Sequence, residues 1–322
     1  MTKAVLLPEP GPPESFTWGD IDVPDPGPGE AQIRQSAVGL NFIDTHFRSG
    51  LYSVPQLPAV LGREGAGTVE AIGEGVSEVA VGQRVAYAGL HGAYTELRNA
   101  PADRLVPLPE HISDDVAAAI MQKGMTAQVL VRRVRDLGPG DTILYHAAAG
   151  GVGLIACEWA KHLGATVIGT VGSADKIPIA AAHGCAAVIN YETEDFAARV
   201  QDITGGKGVQ ALYDSVGAKT FEASLPLLAP QGTAALYGQA SGPVPPEVFT
   251  RLPPDRFFIR PTLGGFTSTR EDLLKTAQEL FDVIERGGVH VEINQTYALK
   301  DTAQAHRDLE ARRTTGSTIL VP

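Results

Sequence analysis

Polar and apolar positions change their spacing along this chain from Asp114, which sets an expected domain boundary near residue 123. Before that point, short runs such as "AVLL", "AQIRQSAVGL", "GTVEAIG", "QRVAYAG" and "AYTELRNA" are separated by Gly and Pro. Brief apolar runs punctuated by turn residues predict a small β-rich domain. From Asp114 the spacing becomes helical. "DDVAAAIMQKGMTAQVLVRRV" opens on two Asp residues, whose charge suits a helix N-terminus. Beyond it, strand-like "TILYHAA", "TVIGTV", "AAVIN", "VQALYDSVG" and "TAALYG" alternate with helix-like "GVGLIACEWAKHLG", "DKIPIAAAHG", "DFAARVQDITG" and "TFEASLPLLAP". Such alternation predicts βαβ units, hence a parallel sheet with helices on both faces. Two further helical runs, Arg270 to Arg286 and Lys300 to Arg313, precede a closing strand in "TILVP".

Composition narrows this picture. A chain of 322 residues is about twice the usual domain size, so two domains, or one elaborated by an insertion, are expected. The formal charge of −11 disfavours a dedicated nucleic-acid binder, which carries a basic face. Only Cys157 and Cys185 occur, each in an apolar, helix-like context; they exclude a disulfide framework and a cysteine-rich zinc site and point to the cytoplasm. The apolar run in "MTKAVLLPEP" is too short for a signal-peptide core. The nearly charge-free stretch from Thr142 to Cys157 is rich in Gly and reads as buried strand and helix, not as a membrane span.

"YHAAAGGVG" lies between a strand run and a helix run, the setting in which a glycine-rich fingerprint has meaning. Ala148, Gly150 and Gly153 occupy its three positions, with Gly151 and Val152 between the last two. The tight turn would face backbone N–H groups and a helix N-terminus toward a pyrophosphate. In NAD-binding units an acid at the tip of the second strand binds the ribose hydroxyls and repels a 2′-phosphate. Here Gly172 and Ser173 stand at that tip and Lys176 follows. The expectation is therefore NADPH, with Asp175 pointing to solvent at the next helical turn.

The chain resembles, over essentially its whole length, the zinc-free quinone oxidoreductase (zeta-crystallin-like) family of medium-chain reductases. The resemblance rests on "NFIDTHFRSGLY", "GREGAGTV", "HAAAGGVGLIA", "GTVGSADK", "YDSVG" and "RPTLGGF", in that order. It implies a β-rich GroES-like catalytic domain in residues 1–122, a Rossmann-type doubly wound α/β domain in 123–262, and a return to the catalytic domain in 263–322. It also implies a homodimer formed through the cofactor domains. Zinc-dependent relatives place a Cys in the early loop and a His between Gly and Glu in the second motif. This chain has "NFIDTH" in that loop and Arg63 between Gly62 and Glu64, so no catalytic zinc is expected.

Without a Lewis acid, reduction of an electrophilic quinone is easier to assist than oxidation of an alcohol. The resemblance places Asn41, Asp44, His46 and Tyr52 beside the nicotinamide, on a loop. Tyr52 or His46 would supply the proton, and Asp44 would orient its neighbours. Asn41, Thr126, Ser215, Tyr237, Gly238 and Leu263 would line the cofactor, while Tyr191 and Arg312 would join Lys176 at the 2′-phosphate. Reduction of enones or alkenals requires nearly the same site. A non-catalytic alternative is an NADPH-regulated RNA-binding or crystallin-like protein.

Overall fold

The β-rich pattern of the first hundred residues forms two sheets in the computed structural model, which describes all 322 residues. The chain divides into two units. One comprises residues 1–125, 267–281 and 291–322; the other comprises 126–266 and 282–290. The first division falls inside helix α2 (Asp114–Gln128), between Met125 and Thr126.

In the first unit, the strands run in the order Ile293–Ala298, Ser317–Val321, Glu30–Leu40, Glu64–Ile72, Arg84–Ala88 and Val106–Pro107, and Leu97–Pro101 also pairs with Glu30–Leu40. A smaller sheet has Thr2–Leu7 between Thr17–Ile21 and Ala59–Val60. The long strand Glu30–Leu40 alternates buried and partly exposed positions along its first half, then turns wholly inward from Ala37. That end delivers Asn41 and helix α1 (Phe42–Ser49) against a core containing Leu7, Ile33, Val38, Tyr87 and Leu320.

In the second unit, the alternation becomes a six-stranded parallel sheet ordered Cys185–Asn190, Thr166–Val171, Thr142–His146, Val209–Asp214, Leu228–Leu236 and Phe257–Ile259. Central strands such as Thr142–His146 are apolar and buried almost throughout, as expected when helices cover both faces. The strand order reverses beside Thr142–His146, and helix α3 (Gly151–His162) starts from the C-terminal end of that strand. This is the switch point at which open α/β sheets bind ligands. Cys185 opens a strand rather than lying in a helix, and both cysteines are buried thiols. No helix is long and apolar enough to cross a membrane.

Candidate active site

The segment expected as a loop is helix α1. Asn41, in extended conformation, precedes it, and the Asn41 N–H donates to Asp44 Oδ2 at 3.0 Å. Gly50 stops the helix in a left-handed conformation (φ 83°) that few other residues adopt. The helix buries its polar side: Asp44, Thr45 and Arg48 are inside, while Phe42, His46 and Phe47 are partly exposed.

Two buried carboxylates organise this region. Glu64, fully enclosed, accepts from Lys123 Nζ at 2.7 Å, Asn41 Nδ2 at 2.8 Å and the Gln122 N–H at 2.6 Å. A buried ion is tolerated when its partners are this complete. The Asn41 side chain is thereby fixed from behind. Asp44 is less well compensated: Oδ2 also accepts from the Tyr94 hydroxyl at 3.0 Å, but Oδ1 has no partner. Burial therefore raises its carboxyl pKa to about 7, against the opposing hydrogen bonds from Asn41 and Tyr94.

From Asp44 the network continues through Tyr94 to His306 Nε2 at 3.0 Å, from His306 Nδ1 to Arg48 at 3.2 Å, and on to Glu310. Arg48 grips Glu310 with two bonds of 2.9 and 2.7 Å. Burial and the neighbouring guanidinium lower His306 to about 3, so its imidazole is neutral.

His46 and Tyr52 lie edge to face, with ring centres 5.2 Å apart, and the Tyr52 N–H donates to the His46 carbonyl at 3.1 Å. Partial burial lowers the His46 pKa. Burial thus shifts this imidazole toward its neutral form.

Arg63 does not resemble a metal ligand. Its guanidinium donates to the Gly89 carbonyl at 3.0 Å, lies 2.8 Å from His91 Nε2 and sits over the Phe47 ring. No three His, Cys, Asp or Glu side chains converge to hold a metal ion. A zinc does not fit these residues.

In the second unit, the Ala148 N–H donates to Thr170 O at 3.0 Å, and Gly150 caps helix α3 without any side-chain cap. The first-turn N–H groups of such a helix have no intrahelical acceptors and suit an anion. Gly153 is required by space, because a Cβ there would lie 2.4 Å from the Ala147 carbonyl oxygen. Ala148 fits in the first fingerprint position because Gly169 faces it: a Cβ on Gly169 would lie 2.8 Å from the Ala148 Cβ and 2.6 Å from Cys185 Sγ. The turn therefore fits a dinucleotide pyrophosphate.

Tyr191 N donates to Val171 O at 3.1 Å, placing Tyr191 beside the tip that carries Gly172 and Ser173. Asp175 is fully exposed and is hydrogen-bonded by the Ser173 side chain, which lowers its pKa. Lys176 closes the single turn Ala174–Lys176. Asp214 holds the loop carrying Ser215 through the N–H groups of Val216 and Gly217, at 2.6 and 2.9 Å. Tyr237 joins Ser215 and, at 2.7 Å, Tyr145, while Gly238 packs on Ser215. Thr126 lies on α2 and Leu263 opens the short helix Leu263–Phe266. Arg312 belongs to the first unit, just past helix Thr302–Glu310, with φ 59°.

The hydrogen-bonded set Glu64, Lys123, Tyr94, Arg48 and His306 was not singled out from sequence. Lys123 carried a signal, as the lone charge in "VAAAIMQKGMTAQVLV".

Comparisons with known proteins agree with this construction. Residues 27–110 match the alcohol dehydrogenase GroES-like domain, and residues 151–286 match the zinc-binding dehydrogenase family. A quinone oxidoreductase of Pseudomonas aeruginosa is 49% identical, with all of both chains covered. A 2-haloacrylate reductase of a Burkholderia species is 42% identical over 100% of this chain and 99% of its own. The crystal structure of Escherichia coli quinone oxidoreductase complexed with NADPH superposes with a TM-score of 0.96 at 43% identity, covering 99% of this chain and 100% of that one. The chain belongs to the zinc-free quinone oxidoreductase family of the medium-chain dehydrogenase/reductase superfamily.

Proposed function

We propose that this protein is an NADPH-dependent quinone reductase. The observation that carries the cofactor choice is the acid-free strand tip, Gly172 and Ser173, followed by Lys176 and flanked by Tyr191. In this reading Ala148, Gly150, Gly151 and Val152 hold the pyrophosphate through backbone N–H groups, and Ser215, Tyr237, Gly238, Thr126 and Leu263 follow the cofactor toward its nicotinamide. Lys176 and Tyr191 serve the 2′-phosphate.

When bound, NADPH supplies a hydride from C4 of its nicotinamide. The quinone takes up that hydride and one proton, giving a hydroquinone. Stabilising negative charge on the acceptor oxygen falls to hydrogen-bond donors fixed in advance. Asn41 is held from behind by Glu64, and the partly exposed Tyr52 and His46 provide the O–H and N–H groups. His46 donates a hydrogen bond, and the Tyr52 ring offers a face for a planar acceptor. Asp44 is buried and acts by ordering Asn41 through its backbone.

In this reading the first unit serves as the catalytic domain, the second as the cofactor domain, and the protein works in the cytoplasm as a homodimer. Strand Phe257–Ile259 is the outermost of its parallel sheet, and Phe257 is 60% exposed there. An edge with open backbone groups and an exposed aromatic invites strand pairing with a second copy.

The test is steady-state oxidation of NADPH and NADH side by side, with 1,4-benzoquinone and a simple enone as acceptors. NADPH-dependent quinone turnover supports the proposal. Preference for the enone moves the assignment to reduction of conjugated double bonds, the reading to which the similarity to a 2-haloacrylate reductase lends support. Absence of turnover with either acceptor refutes both.

A further inference from the structure

Next to the proposed donors lie two guanidinium groups that no salt bridge neutralises. Arg63 is partly exposed and makes no ion pair; its partners are the Gly89 carbonyl and His91 Nε2, both uncharged. Its Nε has no acceptor, and neither does His91 Nδ1. Arg98 stands behind the same loop, donating to the carbonyls of Leu90 and His91 at 3.3 and 2.8 Å and lying over the Tyr87 ring, again without a carboxylate. The nearest acid to feel Arg63 is Asp44, which does not hydrogen-bond to it and is itself held toward its neutral form. Glu64, adjacent in sequence, is already satisfied by Lys123.

Around this guanidinium the aromatic rings form one continuous edge-to-face cluster. Phe47 contacts His91 with centres 4.4 Å apart and Tyr52 at 5.5 Å; Tyr52 contacts His46, and His46 contacts Phe42 at 5.4 Å. All of these rings are partly exposed. A cation at one end of an aromatic cluster matches a planar ligand with an anionic substituent. The fork of an Arg binds a carboxylate or sulfonate with two parallel bonds. In a chain of formal charge −11, an unpaired Arg at this place is the more unusual.

We infer that Arg63 is an anion-recognition residue of the acceptor site, and that the preferred acceptor is a planar conjugated carbonyl compound bearing a carboxylate or similar anionic group. This rests on the reductase reading above and narrows its substrate class.

The experiment compares 1,2-naphthoquinone with 1,2-naphthoquinone-4-sulfonate as acceptors for NADPH oxidation by the wild-type chain, Arg63→Gln and Arg63→Lys. The expected result is a fall of at least tenfold in the ratio of kcat/KM for the sulfonate to that for the parent quinone in Arg63→Gln, expressed mainly in KM. Arg63→Lys, which keeps the charge but loses the fork, should lie between the two, and it decides the matter alone if Arg63→Gln does not fold. An unchanged ratio overturns the inference. A second measurement needs no turnover: calorimetric titration with naphthalene-2-sulfonate, which cannot accept a hydride. Arg63-dependent binding by a wild-type chain that reduces neither quinone would remove the reductase reading and keep the anion site. Binding that is absent, or equal in all three chains, would overturn the site.

Discussion

The Tyr94 hydroxyl donates to Asp44 Oδ2 at 3.0 Å, although the two residues are fifty positions apart and neither side chain reaches solvent. This bond and the Asn41 N–H oppose the ionisation penalty on Asp44 without cancelling it, so the carboxyl titrates near 7 instead of 3.8.

A pH dependence follows. Below about pH 4 the group is protonated in folded and unfolded chains alike; between there and about pH 7 only the unfolded chain loses the proton, so rising pH favours unfolding. The depressed His306 and His91 act in the opposite sense, losing stability as pH falls from 6.5 toward 3 or 4. Comparing wild type with Asp44→Asn removes that common background. Urea unfolding at pH 5 and pH 8 should show the variant gaining about 2–3 kcal/mol on the wild type across the interval. A constant gap would mean that Asp44 titrates normally.

Lys123→Met leaves the enclosed Glu64 carboxylate without its cation. The expected loss is about 3–5 kcal/mol. The double variant Glu64→Gln with Lys123→Met should recover much of it, because no uncompensated charge remains. Non-recovery in a double-mutant cycle would show that Lys123 contributes through packing rather than charge.

Gly153→Ala drives a methyl into the Ala147 carbonyl, which belongs to the backbone and cannot turn aside. A destabilisation of about 1–3 kcal/mol is expected, together with at least a tenfold weaker affinity for NADPH measured by nicotinamide fluorescence. Unchanged affinity would separate this turn from cofactor binding.

Lys176→Ala should lower kcat/KM for NADPH about tenfold and leave that for NADH nearly constant, since only the former carries a 2′-phosphate. Equal losses with both cofactors would deny Lys176 a phosphate role.

The alternating strands and helices of the second unit were legible because each buried strand is a short apolar run and each helix has an apolar stripe. Helix α1 was not. Its buried side is Asp44, Thr45 and Arg48, while Phe42 and Phe47 remain partly exposed, so hydrophobic periodicity points the wrong way. The helix exists because the carboxylate of Asp44 closes back on Asn41 and because Arg48 finds His306 and Glu310. Those last partners lie more than 250 positions away, and no local pattern announces a bond of that reach. The fingerprint turn was visible because its meaning is local: one strand, one turn, one helix. Arg63 reads in the sequence only as the lack of a zinc ligand, because His91 and Phe47 reach it through the fold and not through local spacing.

Ala148 and Gly169 amount to a single steric decision written at two places. The methyl that the fingerprint gained at 148 occupies the volume that the neighbouring strand gave up at 169. Restoring glycine at 148 would vacate that volume but would not by itself admit alanine at 169, since Cys185 Sγ closes the space from the other side. The turn and the buried Cys185 thiol thus close on position 169 from two sides, and glycine is the residue that leaves room for both.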